Sequence, residues 1–195
     1  MIITLSGYPG SGKSTVATLV AARLGLQRHS MGDLRRQYAQ EHGMTIDEWN
    51  ALGETSDETD APVDERQRTL GQTEDDFVID GRISWYFIPH SFKVFLDVDP
   101  DEGARRMFEH ARAGKRPSES AYGSKKAVRE QAAARSASDN VRYGKYYGIQ
   151  WDDKANFDLV VDTSSTPPEK IAEQIIEALK TWAQRAVIDK KPVPR

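Results

Sequence analysis

The chain of 195 residues contains no cysteine. Disulfides and thiolate metal sites are therefore excluded, and the composition fits a reducing compartment. No apolar run approaches the ~20 residues that a membrane span requires. The first apolar run, Met1 to Leu5, lacks the basic leader of a signal peptide. The expected location is cytoplasmic, with no membrane partner. Excess positive charge is also missing: 27 Lys and Arg against 30 Asp and Glu leave a net charge of -3, which disfavours a nucleic acid partner. The four histidines, His29, His42, His90 and His110, show no metal-ligand spacing. What remains is an ordinary globular balance of 38% hydrophobic and 29% charged residues. That is enough for one α/β domain with a real core, expected to act as a monomer.

Apolar runs alternate with helical periodicity. Residues 2–6 read as a buried strand, and Ser14 to Leu24 as a helix stopped by Gly25. Residues 26–30 read as a weak second strand, with Asp33 as the cap of a helix to about His42. Thr45 and Glu48 stand in capping-box spacing. An acidic turn over 53–62 precedes a polar helix, Asp64 to Thr73. FVID (77–80), FKVFLDV (92–98) and FDLVVDTS (157–164) are strand candidates. Helices are expected from Pro100, after a basic, glycine- and serine-containing loop over 112–130, and over 167–186. This alternation implies a parallel sheet with right-handed crossovers, and ligands beyond the carboxyl ends of its strands.

One such strand end carries Gly7, Tyr8, Pro9, Gly10, Ser11, Gly12, Lys13, Ser14 and Thr15. The spacing G-x-x-x-x-G-K-S between a strand and a helix is that of a phosphate-binding loop. Its backbone N–H groups and the helix N-terminus attract an anion. Lys13 reaches β- and γ-phosphates, and the Ser14 hydroxyl can hold Mg²⁺ directly or through water. The loop points to a nucleoside triphosphate, ATP or another, without saying what happens to it.

Two absences and one surplus narrow the reaction. Neither Asn-Lys-x-Asp nor a switch Asp-x-x-Gly of a GTPase is present. FVID runs into Asp80-Gly81-Arg82 and not into the Asp-Glu of many hydrolysing ATPases. Arginines meanwhile recur near strand ends and on one helix face: Arg35, Arg36, Arg82, Arg105, Arg106, Arg135 and Arg142. A planar, permanently charged fork suits a second phosphate. A solvated surface is the competing explanation for each of them taken singly.

Together these stretches resemble the archaeal-type cytidylate kinases, a branch of the P-loop nucleoside monophosphate kinases. The resemblance rests on SGYPGSGKST, HSMGDLRR, HGMTIDEW, DETDAPVDERQ, FVIDGRIS, RSASDNVRYGKYYGI and FDLVVDTS in that order, from residue 1 to about 180. It implies a three-layer αβα fold with five parallel strands. It further implies a single kinase domain over 1–195, with a helical monophosphate-binding region over 33–75, a lid over about 111–147 and a tail over 187–195. It implies transfer of the ATP γ-phosphoryl group to CMP or dCMP, with Mg²⁺. By position, Gly7–Thr15 would hold ATP, and Arg36 and Arg82, with Asp33 nearby, the monophosphate. Arg135 and Arg142 would reach the transferring group, and Asp80 would order Mg²⁺-bound water. Asp60, Asp64 and Gln67 fit a base reader or equally a solvated acidic helix face. Acceptors such as UMP or AMP, and a slow nucleotide-dependent switch module, stay open as alternatives. The basic stretch 111–126 and the bulky Trp85-Tyr86-Phe87 depart from the family pattern.

Overall fold

In the computed structural model, residues 1–113 and 123–188 are described, with side chains to residue 184. Most of the basic stretch expected at the lid entry (114–122), and the tail from 189, lie outside the described residues.

Five short strands make one parallel sheet: β1 (Ile2–Gly7), β2 (Gln27–Ser30), β3 (Phe77–Asp80), β4 (Phe92–Asp97) and β5 (Leu159–Asp162), in the order β2-β3-β1-β4-β5. Strand alternation sends Ile3, Leu5, Val78, Val94 and Leu96 to one face. There they bury against α1 (Lys13–Leu24) and α8 (Pro168–Ile188). Ile2, Phe77 and Ile79 face the other way, onto α2 (Met31–Glu41) and α4 (Ala61–Thr73). The result is the expected three-layer arrangement. The expected strand at 26–30 forms as the sheet edge, in register with β3 so that Ser30 stands opposite Asp80.

Three further helices frame the sheet's carboxyl end: α3 (Ile46–Gly53), α6 (Pro100–Arg112) and α7 (Lys125–Tyr147). Helix α3 starts at the capping box, with the Thr45 hydroxyl accepting from the Glu48 N–H and the Glu48 carboxylate accepting from the Thr45 N–H. Helix α2 departs from expectation. Ser30 caps it by accepting from the Asp33 N–H at 3.3 Å, so Asp33 is its third residue. As a result the Asp33 carboxylate is available to Arg36, which donates to it one turn on. Helix α4 begins three residues before the expected Asp64, with Asp60 at its N-cap and Pro62 in its first turn. Trp85-Tyr86-Phe87 lie in a one-turn helix, α5 (Ser84–Phe87), packed edge-on with Phe157 and Tyr147. Trp85 is buried and Phe87 packs against the core, whereas Tyr86 is exposed. No helix among the described residues is long and apolar enough to cross a membrane.

Candidate active site

The carboxyl ends of β1, β2 and β3 open into a cleft of about 680 Å³ bounded by α1, α2, α4, α6 and α7. That volume lies in the upper half of the range for small-molecule sites. One wall is the phosphate loop: Pro9, Gly10, Gly12, Lys13, Ser14 and Thr15 face the cleft. Gly10 has φ +78, and a Cβ there would overlap the Gly103 carbonyl of α6. Gly12, φ +85, is the N-cap of α1 and offers no side chain to the helix end. The first N–H groups of α1 are thereby left for a ligand. Gly7, Tyr8 and Ser11 support the loop from behind. The Tyr8 hydroxyl donates to Asp152 at 3.1 Å, and burial with that carboxylate beside it pushes the phenol up to about 12. Lys13 Nζ donates to the carbonyls of Gly7 at 2.7 Å and Tyr8 at 2.9 Å.

Asp80 ends β3 at the loop's edge and is buried. Its Oδ1 accepts from Ser30 at 3.1 Å and from Ser14 at 3.4 Å, and its Oδ2 accepts from Arg28 Nε at 2.9 Å. Sequence reasoning did not single out Arg28. The available signal was its place in β2, two residues before Ser30 and therefore on the same strand face.

The expected arginines divide. Arg36 lies on the cleft wall beside Asp33. Burial would raise the Asp33 carboxyl, but the Arg36 guanidinium wins and holds it below the usual range. Arg35, noted but not assigned a role, also lines the cleft and is fastened to Asn50 Oδ1 at 2.8 Å and to Asp60. Arg82 donates to Asp139 Oδ2 at 2.8 Å and to the Gly7 carbonyl, and stacks 4.5 Å above the Trp151 ring. Arg135 on α7 donates to Asp47 of α3 at 2.8 Å and faces the cleft. Arg142 is placed differently. It is 1% exposed, with Asp60 at 2.6 Å and Asp139 on its other side. Those two carboxylates line the cleft in front of it. Burial alone would raise the Asp139 carboxyl, but the charges of Arg82 and Arg142 pull it below its ordinary value. Arg105 pairs with Glu102 and Glu109 along its own helix, away from the cleft wall.

Asp64 and Gln67 are buried polar residues in the cleft wall, not a solvated helix face. The Ser84 hydroxyl donates to Gln67 Oε1 at 2.7 Å, Gln67 Nε2 donates to Asp64 Oδ1 at 3.1 Å, and the Tyr147 hydroxyl donates to Asp64 Oδ2. Burial pushes the Asp64 carboxyl up to about 7. The Tyr147 hydrogen bond opposes this and the nearby Asp60 charge adds to it. A carboxyl raised on folding stabilises the native state below its unfolded value of 3.8, and that stability is lost as pH rises through about 7. The stability advantage of the native protein over Asp64→Asn should therefore shrink between those values, by at most ~4 kcal/mol, and be flat above them. Denaturant unfolding across that pH range measures it. A difference independent of pH would show that Asp64 titrates normally.

The cleft thus brings two sets of cationic side chains toward a ligand, the arginines of the second set each paired with a carboxylate. One is the loop with Lys13, and the other is the arginine-lined wall of α2, α7 and the turn after β3. Known proteins are similar to this chain. Residues 2–165 match the model of the cytidylate kinase-like family. The chain is 33% identical to a cytidylate kinase of Archaeoglobus fulgidus over 98% of its own length and 100% of that protein's. It is 34% identical to a cytidylate kinase of Halobacterium salinarum, covering 100% and 96%. Among solved structures, a gluconokinase from Sinorhizobium meliloti 1021 superposes with a TM-score of 0.60 at 15% identity, covering 97% of each chain, and so shares the fold. The chain belongs to the cytidylate kinase-like family.

Proposed function

We propose that the protein transfers the γ-phosphoryl group of ATP to CMP or dCMP, giving ADP and CDP or dCDP. The observation that carries this reading is the pairing, in one cleft, of a phosphate loop with a separate arginine wall. One anion site would serve a switch or a simple hydrolase. Two facing sites suit a donor and a phosphorylated acceptor.

In this reading Gly7–Thr15 hold the ATP phosphates, and Arg36 and Arg82 hold the acceptor phosphate, with Asp33 fixing Arg36. The base lies toward Asp60, Asp64 and Gln67. An acceptor phosphate oxygen attacks the γ-phosphorus in line. The bond to the β,γ-bridging oxygen breaks, and ADP departs. Lys13 and Arg135 offset charge on the transferring group, so the protein contributes position and electrostatics without a covalent intermediate. Helix α7 belongs to the lid and α2 to α4 form the acceptor region. The Arg135–Asp47 contact joins the two across the cleft.

The oxygen donors near the loop suit magnesium, which keeps several waters and takes few protein ligands. The Ser14 hydroxyl and the buried Asp80 carboxylate stand 3.4 Å apart. Mg²⁺ would be held there with the ATP oxygens, and when bound it neutralises phosphate charge. Its expected setting is the cytoplasm, with the protein working as a monomer.

A panel of CMP, dCMP, UMP, AMP and GMP in a coupled ADP-release assay tests the reading. ADP release that depends on CMP or dCMP, with the highest kcat/KM among the five, is the expected result. Release independent of acceptor would refute it. Arg82→Ala should raise the acceptor KM more than the ATP KM, measured by varying each substrate in turn. The opposite order would move Arg82 to the donor side, where its bond to the Gly7 carbonyl already reaches.

A further inference from the structure

Asp80 divides its two oxygens between different partners. Oδ1 meets the hydroxyls of Ser30 and Ser14. Among the described residues Oδ2 meets only Arg28, whose Nε donates at 2.9 Å and whose Nη2 makes an ion pair at 2.7 Å without a hydrogen bond. The carboxylate is 4% exposed, so an unpaired charge there would be costly. The same Nη2 lies 3.8 Å from the Asp33 carboxylate, a longer ion-pair contact. The register of β2 on β3 puts Ser30 opposite Asp80, and the guanidinium closes over the carboxylate from two residues earlier on the same strand.

We propose that Arg28 is a positioning residue for phosphoryl transfer: by clamping Oδ2 of Asp80 it aims Oδ1 at the Ser14 hydroxyl, on the side where Mg²⁺-ATP is held. The inference rests on the Ser14–Asp80 placement of magnesium proposed above. Arg28 does not touch the metal or the nucleotide in this role. Its rigid guanidinium, held on Oδ2 by one hydrogen bond and one ion pair, restricts the carboxylate's rotation, which a lysine's single point of charge does less well. Removing the outer partner of a metal-site ligand weakens metal binding even when every ligand is intact.

The test is calorimetric titration with ATP, without acceptor, in EDTA and in excess Mg²⁺. The ratio of the two dissociation constants isolates the metal's contribution. Arg28→Gln should cut that ratio about tenfold, the lower end of such outer-partner losses. The metal-free ATP Kd and the CMP Kd should stay within about twofold. Arg28→Lys keeps the charge and should recover part of the ratio. In an Asp80→Asn background, Arg28→Gln should add nothing, as expected when one residue acts only through the other. Thermal unfolding of each variant checks the fold, with Arg28→Lys as the reference.

A ratio unchanged in Arg28→Gln but reduced in Asp80→Asn would overturn the role of Arg28 alone. A weakened CMP Kd with an intact ratio would place Arg28 on the acceptor and overturn it too. A ratio unchanged in Asp80→Asn would instead remove the magnesium placement beneath the inference.

Discussion

Lys13→Ala is expected to lower kcat/KM by ~10³-fold or more while leaving the fold intact. Its ammonium is the cation of the phosphate loop, and charge on the transferring group is what the enzyme must offset. A 10³-fold loss corresponds to about 4 kcal/mol of transition-state stabilisation. The structural cost should be far smaller. Lys13 Nζ donates to the carbonyls of Gly7 and Tyr8. Gly7 keeps a second donor in Arg82 when Lys13 is gone, and the loop's shape rests on Gly10 and Gly12, not on the lysine. Steady-state kinetics with a melting curve on the same preparation separates the two effects. Turnover near that of the native protein would remove Lys13 from the mechanism.

The second large effect is on stability. Arg142→Leu should destabilise the protein by about 3 kcal/mol, the lower end of the cost of stripping a buried ion pair of one partner. Arg142 sits between Asp60 and Asp139. Its removal takes the central cation from two carboxylates that are 2% and 6% exposed. The loss is tempered because Arg35 still reaches Asp60 and Arg82 still reaches Asp139. These five side chains come from α2, the N-cap of α4, the turn after β3, and α7. The network therefore fastens α2 and the N-terminus of α4 to α7. Denaturant unfolding followed by the fluorescence of the four tryptophans, of which Trp151 packs under Arg82, measures it. A variant as stable as the native protein, yet inactive, would contradict the buried role. It would instead put Arg142 on the transferring phosphoryl, as the family resemblance suggests.

Features written in local chemistry were legible in the sequence. The phosphate loop, the Thr45–Glu48 capping box, the apolar β3 and β4 and the amphipathic α8 each depend on residues a few positions apart, and each forms as expected. What was not legible depends on distant pairings. Arg35 and Arg36 are neighbours in sequence, yet one turns inward to Asp60 and the other stays beside Asp33. Only the placement of α4 against α2 decides which. Arg135 and Arg142 are two helical turns apart, and Arg142 goes under the cleft wall because Asp60, 82 residues away, meets it there. The partnership of Arg28 with Asp80 needs the β2–β3 register, which no spacing along the chain reveals. The boundary errors have a simpler origin. Ser30 and Asp33 are both good caps, and the Ser30 side chain, already at a strand end, took the helix terminus.

In the proposed reaction the cleft joins two phosphates and passes one between them. That transfer is tested most directly by following γ-³²P-labelled ATP with CMP and Mg²⁺. Label is expected in CDP in step with ADP formation, with little inorganic phosphate. Label released as inorganic phosphate at the same rate with or without CMP would contradict it.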